Sequence, residues 1–217
     1  MKNLFYIVGA GDIGRGLPKI PQDATIIAAD GGLCYLEEAG IKPDFTMGDF
    51  DSYGRIPQGE NVFPCKPEKD DTDMLLAVKE ALKRGAECIV LCGGLGGRFD
   101  HSIANVQTLA YIAGHGTACF LLGGKTVCTV IKNGKIGFPA GLGGYVSAFC
   151  LGDRASGVDI CGLKYPLKNA DLTMDVPLGV SNEFELRNAE ISAREGSLLV
   201  VWEDEDFRPE KYKIIIQ

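Results

Sequence analysis

Cys88-Ile89-Val90-Leu91-Cys92, running straight into Gly93-Gly94-Leu95-Gly96-Gly97-Arg98-Phe99-Asp100-His101-Ser102, is the stretch on which the fold turns. The first five residues are continuously apolar rather than alternating, the pattern of a strand covered on both faces in a parallel sheet. Upstream, Met74, Leu75, Val78, Ala81 and Leu82 make one helical stripe, with Lys79, Glu80, Lys83 and Arg84 largely off it and Gly85 placed to end the helix. Downstream, the spacing predicts a helix over 102–113 and a strand over 117–122. Toward the N-terminus, strands at Leu4–Val8, Thr25–Ala29 and 44–47 alternate with a helical segment over 33–39. This rhythm predicts an α/β domain with a mostly parallel, Rossmann-like sheet over residues 1–123.

Beyond Gly123-Gly124 the helical period disappears. Short strand candidates at 126–131, 145–149, 184–191, 197–201 and 212–216 are divided by Gly, Pro and Asn, which predicts an all-β sandwich or jelly roll over 124–217.

A net charge of −7 and the lack of any basic run exclude the electrostatic footprint of a nucleic-acid binder. Acidity is compatible with a phosphorylated ligand, because carboxylates hold the divalent cations that accompany nucleotides. None of the eight cysteines forms a C-x-x-C pair, and Cys88, Cys92, Cys119, Cys128 and Cys150 lie in apolar runs, so they read as buried thiols. No signal-length apolar segment opens the chain, and no stretch of about 18 apolar residues occurs, so the expectation is a cytoplasmic protein without a membrane partner.

Five segments could carry chemistry. Gly9-Ala10-Gly11-Asp12-Ile13-Gly14 matches G-x-G-x-x-G after a strand, with Asp30 at the spacing of a ribose-binding acid, which makes an NAD-dependent oxidoreductase a rival reading. Pro18 and Pro21 follow, however, where that fold needs a helix N-terminus. Asp30-Gly31-Gly32 ends a strand and lets backbone approach a ligand, or serves as a turn in which Asp30 caps a helix. In Gly48-Asp49-Phe50-Asp51-Ser52 two acids flank an aromatic residue, an arrangement able to converge on a hard cation. Lys69-Asp70-Asp71-Thr72-Asp73 opens the clearest helix with more acids than capping requires. The glycines of residues 93–97 can present N–H groups to phosphates, Arg98 can add a bidentate contact, and Asp100 can bind metal or accept a proton.

Taken in order, Asp30-Gly31-Gly32, Pro43-Asp44, Gly48 to Ser52, Lys69 to Asp73 and Gly96 to His101 resemble the motif series of thiamine pyrophosphokinases. A weaker likeness continues at Tyr165-Pro166-Leu167 and at Gly179-Val180-Ser181-Asn182-Glu183. The resemblance implies transfer of a pyrophosphoryl group from ATP to the hydroxyl of thiamine, with Mg2+ as cofactor and a homodimer whose active sites lie between subunits. It implies metal and catalytic roles for Asp49, Asp51, Asp70 and Asp100, with Arg98 also in the catalytic set. Asp30, Gly31, Gly32, Gly94, Gly96, Gly97 and Arg98 are expected to meet ATP, and Thr72, Asp73, Ser181 and Asn182 to meet thiamine. Trp202 sits in a strand-like run and receives no thiamine role. A metal- and nucleotide-binding sensor without turnover is the non-enzymatic alternative.

Overall fold

The computed structural model describes residues 3–14, 16–51, 53–66 and 70–216. In chain order the elements are β1 (Leu4–Val8), β2 (Thr25–Ala29), α1 (Gly32–Glu38), β3 (Phe45–Gly48), β4 (Val62–Pro64), α2 (Asp73–Lys83), β5 (Cys88–Cys92), α3 (Phe99–Gly114) and β6 (Ala118–Gly123). There follow β7 (Thr126–Lys132), β8 (Lys135–Phe138), β9 (Tyr145–Cys150), β10 (Arg154–Cys161), β11 (Leu167–Thr173), β12 (Gly179–Glu183), β13 (Ala189–Ser192), β14 (Ser197–Glu203) and β15 (Lys213–Ile215). The chain divides into two compact units: residues up to Thr108 with Leu121–Gly124, and Leu109–Phe120 with Lys125 onward.

In the first unit β5, β1, β2, β3 and β4 lie side by side in that order, and every pair is parallel. β1 and β5 are buried along their whole length, which is why both read as unbroken apolar runs. Parallel pairing brings the carboxyl ends of all five strands to one edge, and the loops at 9–14, 30–32, 48–51 and 93–97 leave from that edge. The helix α2 is capped by Thr72, whose Oγ1 accepts the Leu75 N–H at 3.2 Å. Gly85, with φ +80, ends it. Its buried stripe is Met74, Ala77, Val78 and Ala81, while Leu75 and Leu82, expected there, are only half-buried. Helix α3 begins at Phe99, three residues before the expected start, so Arg98 directly precedes it.

Apart from the end of α3 and a 3-10 turn at Pro209–Lys211, the described residues of the second unit contain strands and no further helix. β12, β9, β14 and β7 form one antiparallel set, and β11, β10, β13, β8 and β15 another. β14 and β9 alternate buried with half-exposed residues, as strands covered on one face do. Trp202 from β14 meets Phe138 from β8 and Tyr212 edge to face, so rings of the two sets share one core. Trp202 is therefore a core residue, 1% exposed.

Of the strand expected over 184–191 only the end is strand, as β13; β12 closes at Glu183 and a loop follows it. Leu186 takes φ +55, a left-handed conformation incompatible with a continuous strand. β8, β10, β11 and β12 have no counterpart among the expected strands: β11 is polar and largely exposed, and β10 is interrupted by Gly157 at φ +62 and by register shifts against β11.

Candidate metal and nucleotide site

Asp30 follows β2 and Asp49 follows β3, and the register Ala29↔Met47 makes these strand ends neighbours. The Asp30 N–H donates to Met47 O at 2.7 Å. A side chain on Gly48 would bring its Cβ to 2.9 Å from Asp30 Cα, so only glycine lets the two loops lie this close. Carboxylate oxygens of Asp30, Asp49 and Asp51 come within 4.8 Å of one another. At this range like charges repel by roughly 3–4 kcal/mol per pair at an effective dielectric of about 20. Asp30 Oδ1 is buried without a hydrogen-bond partner, alone in this among the described side-chain atoms. A buried oxygen with no donor is costly unless a cation completes it, and three hard oxygen donors suit a hard divalent ion.

Backbone strain and burial hold this arrangement. Asp30 and Phe50 adopt φ +47 and +60, conformations that non-glycine residues keep only where surroundings enforce them. The Phe50 side chain is 2% exposed, so the aromatic ring anchors the loop from beneath while Asp49 and Asp51 on either side remain at least partly exposed. The Asp51 N–H also reaches Asp49 Oδ1 at 3.3 Å. Asp44, from the Pro43-Asp44 motif, is structural, since its Oδ2 accepts the Ile26 N–H at 2.8 Å and ties β3 to β2.

The other sequence-derived candidates divide. Gly31 stands before α1 without a side-chain cap, and Gly32 packs so closely that a Cβ would fall 1.9 Å from Val8 O. Gly94 lies against Leu121 and Asn105, whose Nδ2 donates to Gly94 O at 2.9 Å. Gly96 and Gly97 take φ +81 and +64, a turn only glycine adopts freely. Arg98 and Asp100 pair with each other, Nη2 to Oδ2 at 2.6 Å and Nε to Oδ1 at 3.2 Å, both exposed. The hydrogen bond from Arg98 holds the Asp100 carboxyl below the usual carboxylate range.

Asp70 and Asp100, expected as metal ligands, are not in the carboxylate group, whereas Asp30, expected at ATP, is. Asp71, the acid that capping left unexplained, forms an ion pair with Lys79 at 2.6 Å. Thr72 is the helix cap and Asp73 lies in the first turn. In the second unit Ser181 is exposed at φ +57, its N–H donating to Ser147 Oγ at 3.0 Å. Asn182 is buried with its amide engaged: Nδ2 donates to Tyr165 O at 2.7 Å, and Oδ1 accepts the N–H groups of Tyr165 and Glu183, each at 2.9 Å. Ser52 and Lys69 of the quoted motifs, and Arg15 after the first glycine run, lie outside the described residues. The dinucleotide reading lacks its helix, since none occurs among the described residues between β1 and β2.

A parallel sheet with carboxylates and glycine loops gathered at its carboxyl edge, followed by an antiparallel unit, defines a two-part chain of α/β and β architecture. The thiamin pyrophosphokinase catalytic-domain model matches residues 19–121, and the thiamin pyrophosphokinase vitamin B1 binding-domain model matches 133–198. The chain belongs to the thiamine pyrophosphokinase family. A thiamine pyrophosphokinase of Bacillus subtilis is 29% identical over 182 residues, 81% of this chain and 85% of that protein. The crystal structure of thiamine pyrophosphokinase from Bacillus subtilis superposes with a TM-score of 0.82 at 26% identity, covering 93% of this chain and 99% of that one. That of thiamin pyrophosphokinase from Geobacillus thermodenitrificans gives 0.78 at 27% identity, covering 93% and 97%.

Proposed function

We propose that this chain transfers the pyrophosphoryl group of ATP to the hydroxyl of thiamine, giving thiamine diphosphate and AMP, with Mg2+ held by Asp30, Asp49 and Asp51. The observation that carries the metal assignment is the buried, unpartnered Asp30 Oδ1 within that group of carboxylates. In the reaction the thiamine hydroxyl oxygen bonds to the β-phosphorus, the bond from that phosphorus to the oxygen bridging it to the α-phosphorus breaks, and AMP leaves with that oxygen. The hydroxyl proton is lost. Bound magnesium supplies neutralisation of phosphate charge.

The protein's share is placement. Residues 93–97 offer backbone N–H groups to phosphates, and Arg98 exchanges Asp100 for a phosphate, meeting it with the same planar fork. Asp100, once released, is free to serve as proton acceptor. Asp70 stays exposed ahead of α2, and Thr72 and Asp73 at the start of that helix are assigned to thiamine. The first unit is then a Rossmann-like nucleotide- and metal-binding domain over 1–123, and residues 124–217 a β-sandwich that binds thiamine and dimerises. The working form is a cytoplasmic homodimer in which Ser181 and Asn182 serve thiamine at a site shared between subunits, Asn182 through the backbone of Tyr165 and Glu183 that its buried amide holds in place. A monomer mass at sedimentation equilibrium would remove that last element.

Incubation of the chain with ATP, magnesium chloride and thiamine, followed by chromatography, tests the activity. Equal amounts of AMP and thiamine diphosphate, both dependent on thiamine, are expected. ADP with thiamine monophosphate, or nucleotide binding without products, would refute it.

A further inference from the structure

The glycine run at residues 9–14 takes no part in dinucleotide binding, yet it lies backbone to backbone against residues 92–96. Gly9 N–H donates to Cys92 O at 2.9 Å and Gly11 N–H to Gly93 O at 3.0 Å. A Cβ on Gly11 would fall 2.3 Å from Gly93 O, and one on Gly93 would fall 2.6 Å from Gly9 O. These glycines are small because two loops interlock there. At the far end of the contact Asp12 comes against Gly96, where a Cβ would lie 3.2 Å from Asp12 Cβ and 3.4 Å from its Oδ2.

Asp12 is exposed, but its carboxylate is held: Oδ1 accepts the Gly14 N–H at 2.6 Å. Its second oxygen therefore stands in a fixed place beside the glycine turn assigned to ATP. An anion repels phosphate unless a cation stands between them, and Asp12 is not among the carboxylates grouped to share one, so the nucleotide portion that suits it carries hydrogen-bond donors and no charge. Ribose hydroxyls are such donors, and a carboxylate oxygen is the stronger acceptor for them. We propose that Asp12 is a specificity-determining residue whose Oδ2 accepts a hydrogen bond from a ribose hydroxyl of ATP. This assignment rests on the reading of residues 93–98 as the ATP loop.

The test compares ATP, 2′-deoxy-ATP and 3′-deoxy-ATP on the wild-type chain and on Asp12→Asn and Asp12→Ala. Asn keeps the side chain's size and an oxygen for Gly14 N–H, so the loop is retained while the outward acceptor becomes a donor. In the wild type, loss of the contacted hydroxyl should raise KM about tenfold to a hundredfold, the range for a hydrogen bond to a charged group, with kcat little changed. In Asp12→Ala, which leaves the hydroxyl no partner, KM for ATP should rise to the deoxy-ATP value and removal of the hydroxyl should cost nothing more. In Asp12→Asn, whose amide can still donate to the hydroxyl oxygen, the cost of removing it should shrink by about tenfold. Discrimination between ATP and the deoxy analogues that stays at the wild-type level in both variants overturns the proposal, and if Asp12→Ala does not fold, undiminished discrimination in Asp12→Asn overturns it alone. A wild-type chain that turns over no ATP removes the underlying reading and this proposal together, whereas normal turnover with unaltered discrimination removes this proposal alone.

Discussion

Asp204 in the second unit and Asp30 in the first are both largely withdrawn from water, but they are furnished in opposite ways. Asp204, with 8% of its side chain exposed, has both oxygens occupied: Lys211 Nζ lies at 3.1 and 3.4 Å from them, and the Tyr212 hydroxyl donates to Oδ2 at 2.6 Å. Tyr212 in turn accepts the Trp202 indole N–H at 2.9 Å, and Lys211 also reaches the Asp206 carbonyl. Asp30 instead has a buried oxygen with no donor and two further carboxylates beside it. A satisfied network fixes the segment leading into β15 to the core, whereas an unsatisfied one holds repulsion that an added cation relieves. The first pattern belongs to folding and the second to function. The contrast can be broken by substitutions that exchange activity for stability, or the reverse.

The largest effect is expected at the carboxylate group. Asp49→Asn or Asp51→Asn removes one charge at constant size, and steady-state assays at limiting magnesium should show about a hundredfold to a thousandfold loss of turnover. Thermal unfolding without metal should be unchanged or slightly raised, because repulsion falls. Near-normal turnover in both variants would break the functional side of the contrast.

Next comes Asp204→Ala, which takes the acceptor from the Tyr212 hydroxyl and leaves Lys211 only its bonds to Asp206, and should cost about 2–3 kcal/mol in urea unfolding. Turnover per folded molecule should hardly move. An active-site-like loss of kcat at unchanged stability would invert the assignment.

Tyr212→Phe sharpens the same side, with an expected cost of about 1–1.5 kcal/mol. Burial, then the bond to Asp204, pushes the Tyr212 phenol above its ordinary value near 10. The folded chain thus keeps this proton where the unfolded chain has released it. That contribution is intact below about pH 10 and is lost as pH rises beyond it. Melting temperatures measured from pH 8 to 11 should fall less steeply above pH 10 in Tyr212→Phe than in the wild type, and parallel curves would refute the burial argument.

The smallest effect is at Arg98. Lysine keeps the charge but lacks the planar fork, so Arg98→Lys should lose about tenfold in kcat/KM for ATP while melting normally. Unchanged kinetics would return Arg98 to a purely structural pair with Asp100.

Much of the fold and part of the site are legible in the residues themselves. β1, β5 and α2 carry periodicities that only one element type satisfies, and the acids after β3 sit where a parallel sheet gathers its loops. Asp30 is legible as a candidate contact but not as a neighbour of Asp49, because that place depends on β2 and β3 being adjacent, a pairing that a linear sequence leaves open. The acids before α2 look like surplus ligands because the Asp71–Lys79 pair spans eight residues and shows no motif. Asn182 is legible as a polar residue of the motif, but its bonds to the backbone of Tyr165 and Glu183 are not, because those positions are fixed only by the folded turn. β11 escapes detection because an exposed polar strand has no apolar period, and β10 because the irregularity at Gly157 breaks its alternation.

Paramagnetic resonance of Mn2+ titrated into the chain with a non-hydrolysable ATP analogue tests the contrast most directly, because it reads cation occupancy without requiring turnover. Wild type and Asp204→Asn should bind the ion alike, while Asp30→Asn and Asp49→Asn should weaken it by about tenfold or more. Equal Mn2+ binding by all four chains would contradict the assignment of Asp30, Asp49 and Asp51 as the metal site.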